Sequence, residues 1–150
     1  MIKELSLKTR ALGYLARREH SRLELERKLG PHAKNSEELS SLLDTLEQRG
    51  ILSAERMLEQ VIHMRKSKFG SQRIVHELRE KGIAENFIAA ALPNIKETEQ
   101  ESAHEVWRKK FGAIPADAKE LARQMRFLMG RGFTAEVIHQ VLRHADKEEA

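Results

Sequence analysis

Glu19, His20 and Ser21 stand side by side. A carboxylate, an imidazole and a hydroxyl are the groups that activate a serine nucleophile. That chemistry needs all three to converge on one proton path, whereas consecutive side chains diverge. No glycine-rich elbow or oxyanion-forming turn accompanies them. The seven histidines are scattered, and His76-Glu77-Leu78-Arg79-Glu80 lacks the second histidine of a zinc-binding helix. With no cysteine, the chain has no thiolate metal site, disulfide or thiol nucleophile. Its glycines stand singly near expected helix ends, not in a phosphate-cradling loop. The expectation is a protein that is no enzyme and needs no metal or cofactor.

Basic residues carry the remaining chemistry. They cluster as Arg17, Arg18 and Arg22, then Arg65, Lys66, Lys68 and Arg73, then Arg108, Lys109, Lys110, Arg126 and Arg131. Each cluster lies near an expected corner between helices. Net charge is only +4, but it alternates along the chain. Residues 1–35 hold nine Lys/Arg against four Asp/Glu, residues 36–60 two against six, and residues 61–82 six against two. Residues 83–107 are acidic again and residues 108–145 basic. Such blocks either solubilise the surface and pair between neighbouring modules, or line up on one face to meet an anionic partner. Exposed pairs are worth about 0–1 kcal/mol each, so pairing alone is a weak reason for the clusters. Trp107 and Phe111 occupy an apolar face and read as core, not as base-stacking platforms.

The elements that must position these residues recur. Taking Leu29, Leu78 and Leu128 as equivalent, Leu39, Ile88 and Ile138 follow at the same offset. Next come Leu42, Ala91 and Val141, then Leu43, Leu92 and Leu142. These offsets trace one face of a helix, repeated at intervals of 49 and 50 residues. Each copy reads as three helices, with no strand alternation, and the chain is predicted to be all-α: three tandem three-helix repeats forming an elongated, curved array. The expected units are residues 1–52, 53–95 and 96–145, with a charged tail at 146–150.

In the first unit a helix over Leu5 to Arg18 should bury Leu5, Leu12, Leu15 and Ala16. Ser21 and Glu24 form a capping box that starts the second helix, and Gly30-Pro31 ends it. The third runs from Asn35 or Ser36 to Gln48. In the second unit Met57, Val61 and Met64 form an apolar stripe, and the last helix is expected to stop before Pro93. The N-terminus is charged throughout, unlike a signal peptide, and no uncharged apolar run is long enough to cross a bilayer. A soluble, intracellular protein, and a monomer, is expected.

Three segments resemble the RecX regulatory proteins of bacteria. ALGYLARREHSRLELERKL looks like that family's N-terminal signature, GSQRIVHELREKGI is similar to its central segment, and FLMGRGFTAEVIHQVL resembles its C-terminal module. The likeness runs from about residue 5 to 145 in matching order. One departure is the opening of the second module, Ser53-Ala54-Glu55-Arg56-Met57-Leu58, where the family often carries an aromatic at the Met57 position. This predicts a differently packed first junction.

The resemblance implies a regulator that binds the RecA filament on single-stranded DNA. It would inhibit RecA ATPase, strand exchange and filament growth, and so modulate recombinational repair and the SOS response. Motif positions carried over are Arg17, Arg18, His20, Ser21, Gly70, Arg73, Ile74, Leu78, Lys81, Gly82, Arg131, Gly132 and Phe133. Of these, Arg17, Arg18, Arg73 and Arg131 are the expected interface, joined on charge alone by Arg65, Lys66, Lys68, Lys109 and Lys110. Direct contacts to single-stranded DNA are expected to be auxiliary. An autonomous helix–turn–helix DNA-binding module or a structural helical adaptor are the alternatives.

Overall fold

The computed structural model describes residues 4–149, and all its regular structure is helical. Helix α1 (Leu7–Arg17) starts at Ser6, whose hydroxyl accepts the Thr9 amide at 3.1 Å. This start sets the buried stripe at Leu7 and Ala11, with Tyr14 and Leu15 packed beside them. Leu5 precedes the helix and is 55% exposed, while Leu12 and Ala16 face solvent. The predicted stripe therefore has the wrong phase, because it takes the helix to begin before its cap. Helix α2 (Arg22–Leu29) begins with the full capping box, the Ser21 hydroxyl accepting the Glu24 amide and the Glu24 carboxylate accepting the Ser21 amide. A single 3-10 turn, Gly30–His32, leads to α3 (Ser36–Gln48), capped by Asn35.

Ser53 caps α4 (Ala54–Arg65), which buries Met57, Leu58, Val61 and Ile62 but leaves Met64 exposed. Met57 thus lies in the core of its own module, and Arg56 reaches back to the Glu19 carboxylate at 2.8 Å. Helix α5 (Ser71–Glu80) is followed by α6 (Glu85–Glu97), which does not stop at Pro93 as predicted but carries it inside. An internal proline costs about 3 kcal/mol. Burial of Ile95 beyond it, worth about 1.5–3 kcal/mol, offsets much of that cost. Helices α7 (Glu99–Lys110), α8 (Ala118–Gly130) and α9 (Ala135–Glu149) complete the described chain. Residues 146–149, expected as a tail, continue α9.

Among the described residues, buried side chains gather into three clusters, not one: within α1–α3 around Leu25, Leu29 and Leu43, within α4–α6 around Ile74 and Leu78, and within α7–α9 around Trp107, Leu128 and Phe133. The accessible surface is 9896 Å². A compact monomer of 17.3 kDa would expose about 7,800 Å². The excess is what a string of small cores produces, since each keeps its own outer surface.

Polar contacts join the cores. Gly70 caps α5 without a side chain, so the first amides of that helix need partners. The third module supplies them. Gly70 N–H donates to the Arg131 carbonyl at 2.9 Å, Gln72 N–H to the Gly132 carbonyl at 3.1 Å, and Ser71 N–H to the buried Glu99 carboxylate at 2.9 Å. A Cβ at Gly70 would run into the Gly132 backbone, so this approach requires glycine.

Candidate functional site

The site grows from the corner between α4 and α5. Phe69 N–H donates to the Arg65 carbonyl at 2.9 Å, closing α4, and the next residue is tied to the α8–α9 turn. Phe69 is thereby fixed, half-buried, where the second and third modules meet. Three guanidinium groups surround its ring, Arg73 at 4.3 Å from the centroid, Arg131 at 5.5 Å and Arg65 at 6.0 Å. Arg131 also stands 5.1 Å from the centroid of Phe127, and the Lys110 ammonium 5.2 Å from it. Arg131 therefore links two rings in one continuous basic and aromatic cluster. Cations over exposed rings gain about 0.5–1 kcal/mol each, enough to bias long side chains toward one arrangement. Lys68, Lys109, Lys110 and Arg131 line an open groove of about 420 Å³ between α7, α8 and the α4–α5 corner.

The carboxylates at this junction pair with some of its cations and not with others. Arg65 pairs with Glu77 at 2.9 Å, and Glu105 takes Arg108 at 2.6 Å and Lys109 at 3.8 Å. Among the described residues, Lys68, Arg73, Lys110 and Arg131 form no ion pair. The Arg73 guanidinium has a neutral partner, the Gly130 carbonyl at 3.3 Å.

Of the nine cations expected at an interface, Arg65, Lys68, Arg73, Lys109, Lys110 and Arg131 converge here. The other three do not. Arg17 is exposed in the last turn of α1, and Arg18 is tied to Glu24 at 2.8 Å. Lys66 turns to a separate groove of about 420 Å³ between α4 and α6, beside Ile62, His63 and Phe87. Arg22 is taken up internally by Asp44 at 2.7 Å and Glu47 at 2.9 Å, the Glu47 hydrogen bond and then the Asp44 one holding its guanidinium above the ordinary arginine range.

Phe69 and Phe127 do not stand out in the sequence as site residues. Their one signal is position: each is the lone aromatic of a basic segment at a helix end, KSKFG and RFLMGR. Trp107 is core as read, with its ring N–H donating to Gln124 at 2.8 Å.

The Glu19-His20-Ser21 triplet resolves into structure. His20 is 1% exposed, with Nδ1 at 3.0 Å from the Arg18 carbonyl and Nε2 at 2.8 Å from the Lys28 ammonium. Lysine can only donate, so Nε2 accepts and the neutral ring gives its Nδ1 proton to the carbonyl. Burial, then the positive neighbours Arg18 and Lys28, hold its pKa below the ordinary 6.5, against the raising effect of that carbonyl. Ser21 is occupied as a cap. Among the described residues no group of three or more potential ligands could hold a metal ion, and no helix is long and apolar enough to cross a membrane.

Comparison with known proteins fits this geometry. The regulatory protein RecX of Leptothrix cholodnii is 53% identical over 145 residues, 97% of this chain and 92% of its own length. The chain belongs to the RecX family. The RecX protein of Ralstonia pickettii is 44% identical, covering 95% of this chain and 90% of its own length. The models of the second and third three-helix RecX domains match residues 55–92 and 97–142. The crystal structure of RecX from Lactobacillus salivarius superposes with a TM-score of 0.83 at 20% identity, covering 93% of this chain and 94% of that one, and so shares the all-helical repeat fold. The basic and aromatic cluster straddles the junction of those two RecX domains.

Proposed function

We propose that this RecX-family chain is a non-enzymatic regulator. It binds the RecA filament assembled on single-stranded DNA and inhibits RecA ATPase, strand exchange and filament growth. In the bacterial cytoplasm it would act as a monomer, modulating recombinational repair and the SOS response. The observation that carries this reading is the gathering of six cations at one junction of an extended helical array. A long surface with concentrated positive charge suits a repetitive, anionic assembly better than a small ligand.

The autonomous helix–turn–helix reading has less support. Docking in a major groove needs a free helix N-terminus. The start of α2 is covered instead, with Ser21 1% exposed, Arg22 locked to α3, and Leu23 under the Gly82 backbone. The deciding experiment adds the protein to preformed RecA filaments and follows co-sedimentation and ATP turnover. Inhibition at or below one protein per RecA is expected. Unchanged turnover and strand exchange at every ratio would reject the reading. Reversing Lys68 and Lys110 together to glutamate should raise the half-inhibitory concentration about tenfold, one factor of ten being about 1.4 kcal/mol of binding. Helical circular dichroism should not move, since both side chains are exposed.

A further inference from the structure

The two junctions of the array are built alike but fastened differently. With the repeat register of 49 and 50 residues, Ser21 corresponds to Gly70, Glu24 to Arg73 and Gly82 to Gly132. In each, the glycine turn after a module's second helix lies against the start of the preceding module's second helix. A Cβ at Gly82 would meet Leu23 at 2.9 Å, and one at Gly132 would collide with Arg73. The difference lies in what takes up the first amides of that preceding helix.

At the second junction α5 starts at Gly70, which has no side chain to cap it, and the third module accepts its amides. Gly70 N–H donates to the Arg131 carbonyl, Gln72 N–H to the Gly132 carbonyl, and both the amide and the hydroxyl of Ser71 to the Glu99 carboxylate. Ser71 is 4% exposed and Glu99 5%, so water does not compete for these bonds. Thr98 alone separates α6 from α7, which joins the same two modules through nearly unbroken helix.

At the first junction Ser21 and Glu24 cap α2 from within, so its amides need nothing from the turn at Lys81 and Gly82. Among the described residues, no backbone hydrogen bond crosses between the first and second modules. The polar links come from two cations. Arg56 pairs with Glu19 at 2.8 Å and also donates to the Ile51 carbonyl at 3.0 Å, and Lys81 faces Glu24 at 3.5 Å. The paired side chains keep 17–46% of their exposure, so salt screens them. Residues 49–53 separate α3 from α4; Leu52 is anchored in the first core and Ser53 caps α4. The chain therefore passes from one module to the next at Leu52–Ser53.

We propose that the second and third modules form one rigid body, and that the first module is an arm hinged on it at Leu52–Ser53. The Arg56–Glu19 and Lys81–Glu24 pairs latch the arm, and ionic strength sets how freely it swings. The curvature of the array is adjustable at one end only. Such an arm lets an elongated array match the pitch of the assembly it follows. The inference concerns the free chain and holds whatever that assembly is.

The chain has no cysteine, so spin labels can be placed on exposed positions of the full-length protein. Glu37→Cys with Ala89→Cys reports on the first junction, and Ala89→Cys with Glu136→Cys on the second. Distances are read by double electron–electron resonance. The first pair should show a distribution about twice as broad as the second. Raising sodium chloride from about 0.1 M to about 1 M shortens the screening length from about 10 Å to about 3 Å, and should broaden the first pair further while the second stays as it is. Glu19→Gln with Lys81→Gln leaves the α2 capping box intact. That double substitution should broaden the first pair at low salt with helical circular dichroism unchanged.

A first pair as narrow as the second at both salt concentrations would overturn the hinge. So would a second pair that broadens as much as the first, because the rigid body would then not exist. A first pair that ignores both salt and the double substitution would overturn the latch, and the proposal with it.

Discussion

Glu24 shows how much one side chain does at a module boundary. It completes the α2 capping box, accepts Arg18 and faces Lys81 of the next module. Burial by itself would raise its pKa. The hydrogen bonds from Arg18 and the Ser21 amide, with the charges of Lys81 and Arg18, outweigh that and bring it from 4.5 to about 2. The folded pKa is depressed, so the stabilisation is fully present above 4.5 and is lost as pH falls from there toward about 2. Glu24→Gln should cost about 1–3 kcal/mol at neutral pH by urea denaturation. The gap between wild type and variant should then narrow between pH 4.5 and 2. A gap independent of pH would mean that the carboxylate charge is not what matters. Local pattern exposes the capping role of this residue. The link to Lys81 is hidden, because nothing local relates residues so far apart.

At the scale of elements, the instructive helices are those whose ends are completed by another module. Ser21, Asn35 and Ser53 cap their own helices; the sequence pattern gives Ser21 outright, leaves the third helix to start at Asn35 or Ser36, and marks Ser53 as the start of a unit. Gly70 cannot do so, and α5 relies on Glu99, Arg131 and Gly132. Glycine conformation decides whether that contact forms. Gly132 has φ +91°, and any Cβ there meets Arg73. Gly132→Ala should therefore destabilise by about 1–3 kcal/mol. Gly13 lies inside α1, and a methyl group added there would meet nothing within 4 Å, so it should behave oppositely. Gly13→Ala should stabilise by about 0.5–1 kcal/mol. Thermal melts of the two variants check both signs. The misplaced stripe of α1 and the helix that passes through Pro93 share one cause. Local rules weigh one residue at a time, whereas the cap at Ser6 and the burial of Ile95 act over a whole element.

At the scale of the molecule, three small clusters in sequence replace one large core. A compact chain of 150 residues has a radius of gyration of about 15 Å. X-ray scattering in solution should give a clearly larger value, and one at or below that figure would mean that the modules close on one another. The extended arrangement gives the charge pattern its use. Basic blocks from residues 61–82 and 108–145 meet at one junction; of the acidic block between them, Glu85 and Glu97 lie on α6 and Glu99, Glu101 and Glu105 on α7, where Glu99 completes α5 and Glu105 takes Arg108 and Lys109.

The sequence by itself determined the all-helical class, the Ser21–Glu24 capping box, the threefold recurrence and the basic residue types at the corners. These follow from apolar spacing and capping chemistry, which act over a few residues. Tertiary structure decided which corners meet. Arg73 and Arg131 share the Phe69 ring because two glycine turns let distant backbones touch. Glu24 is neutralised at the first junction because Arg18 and Lys81 both reach it. Steric contact and Coulomb energy between distant segments depend on distances through space, and those exist only once the chain has folded.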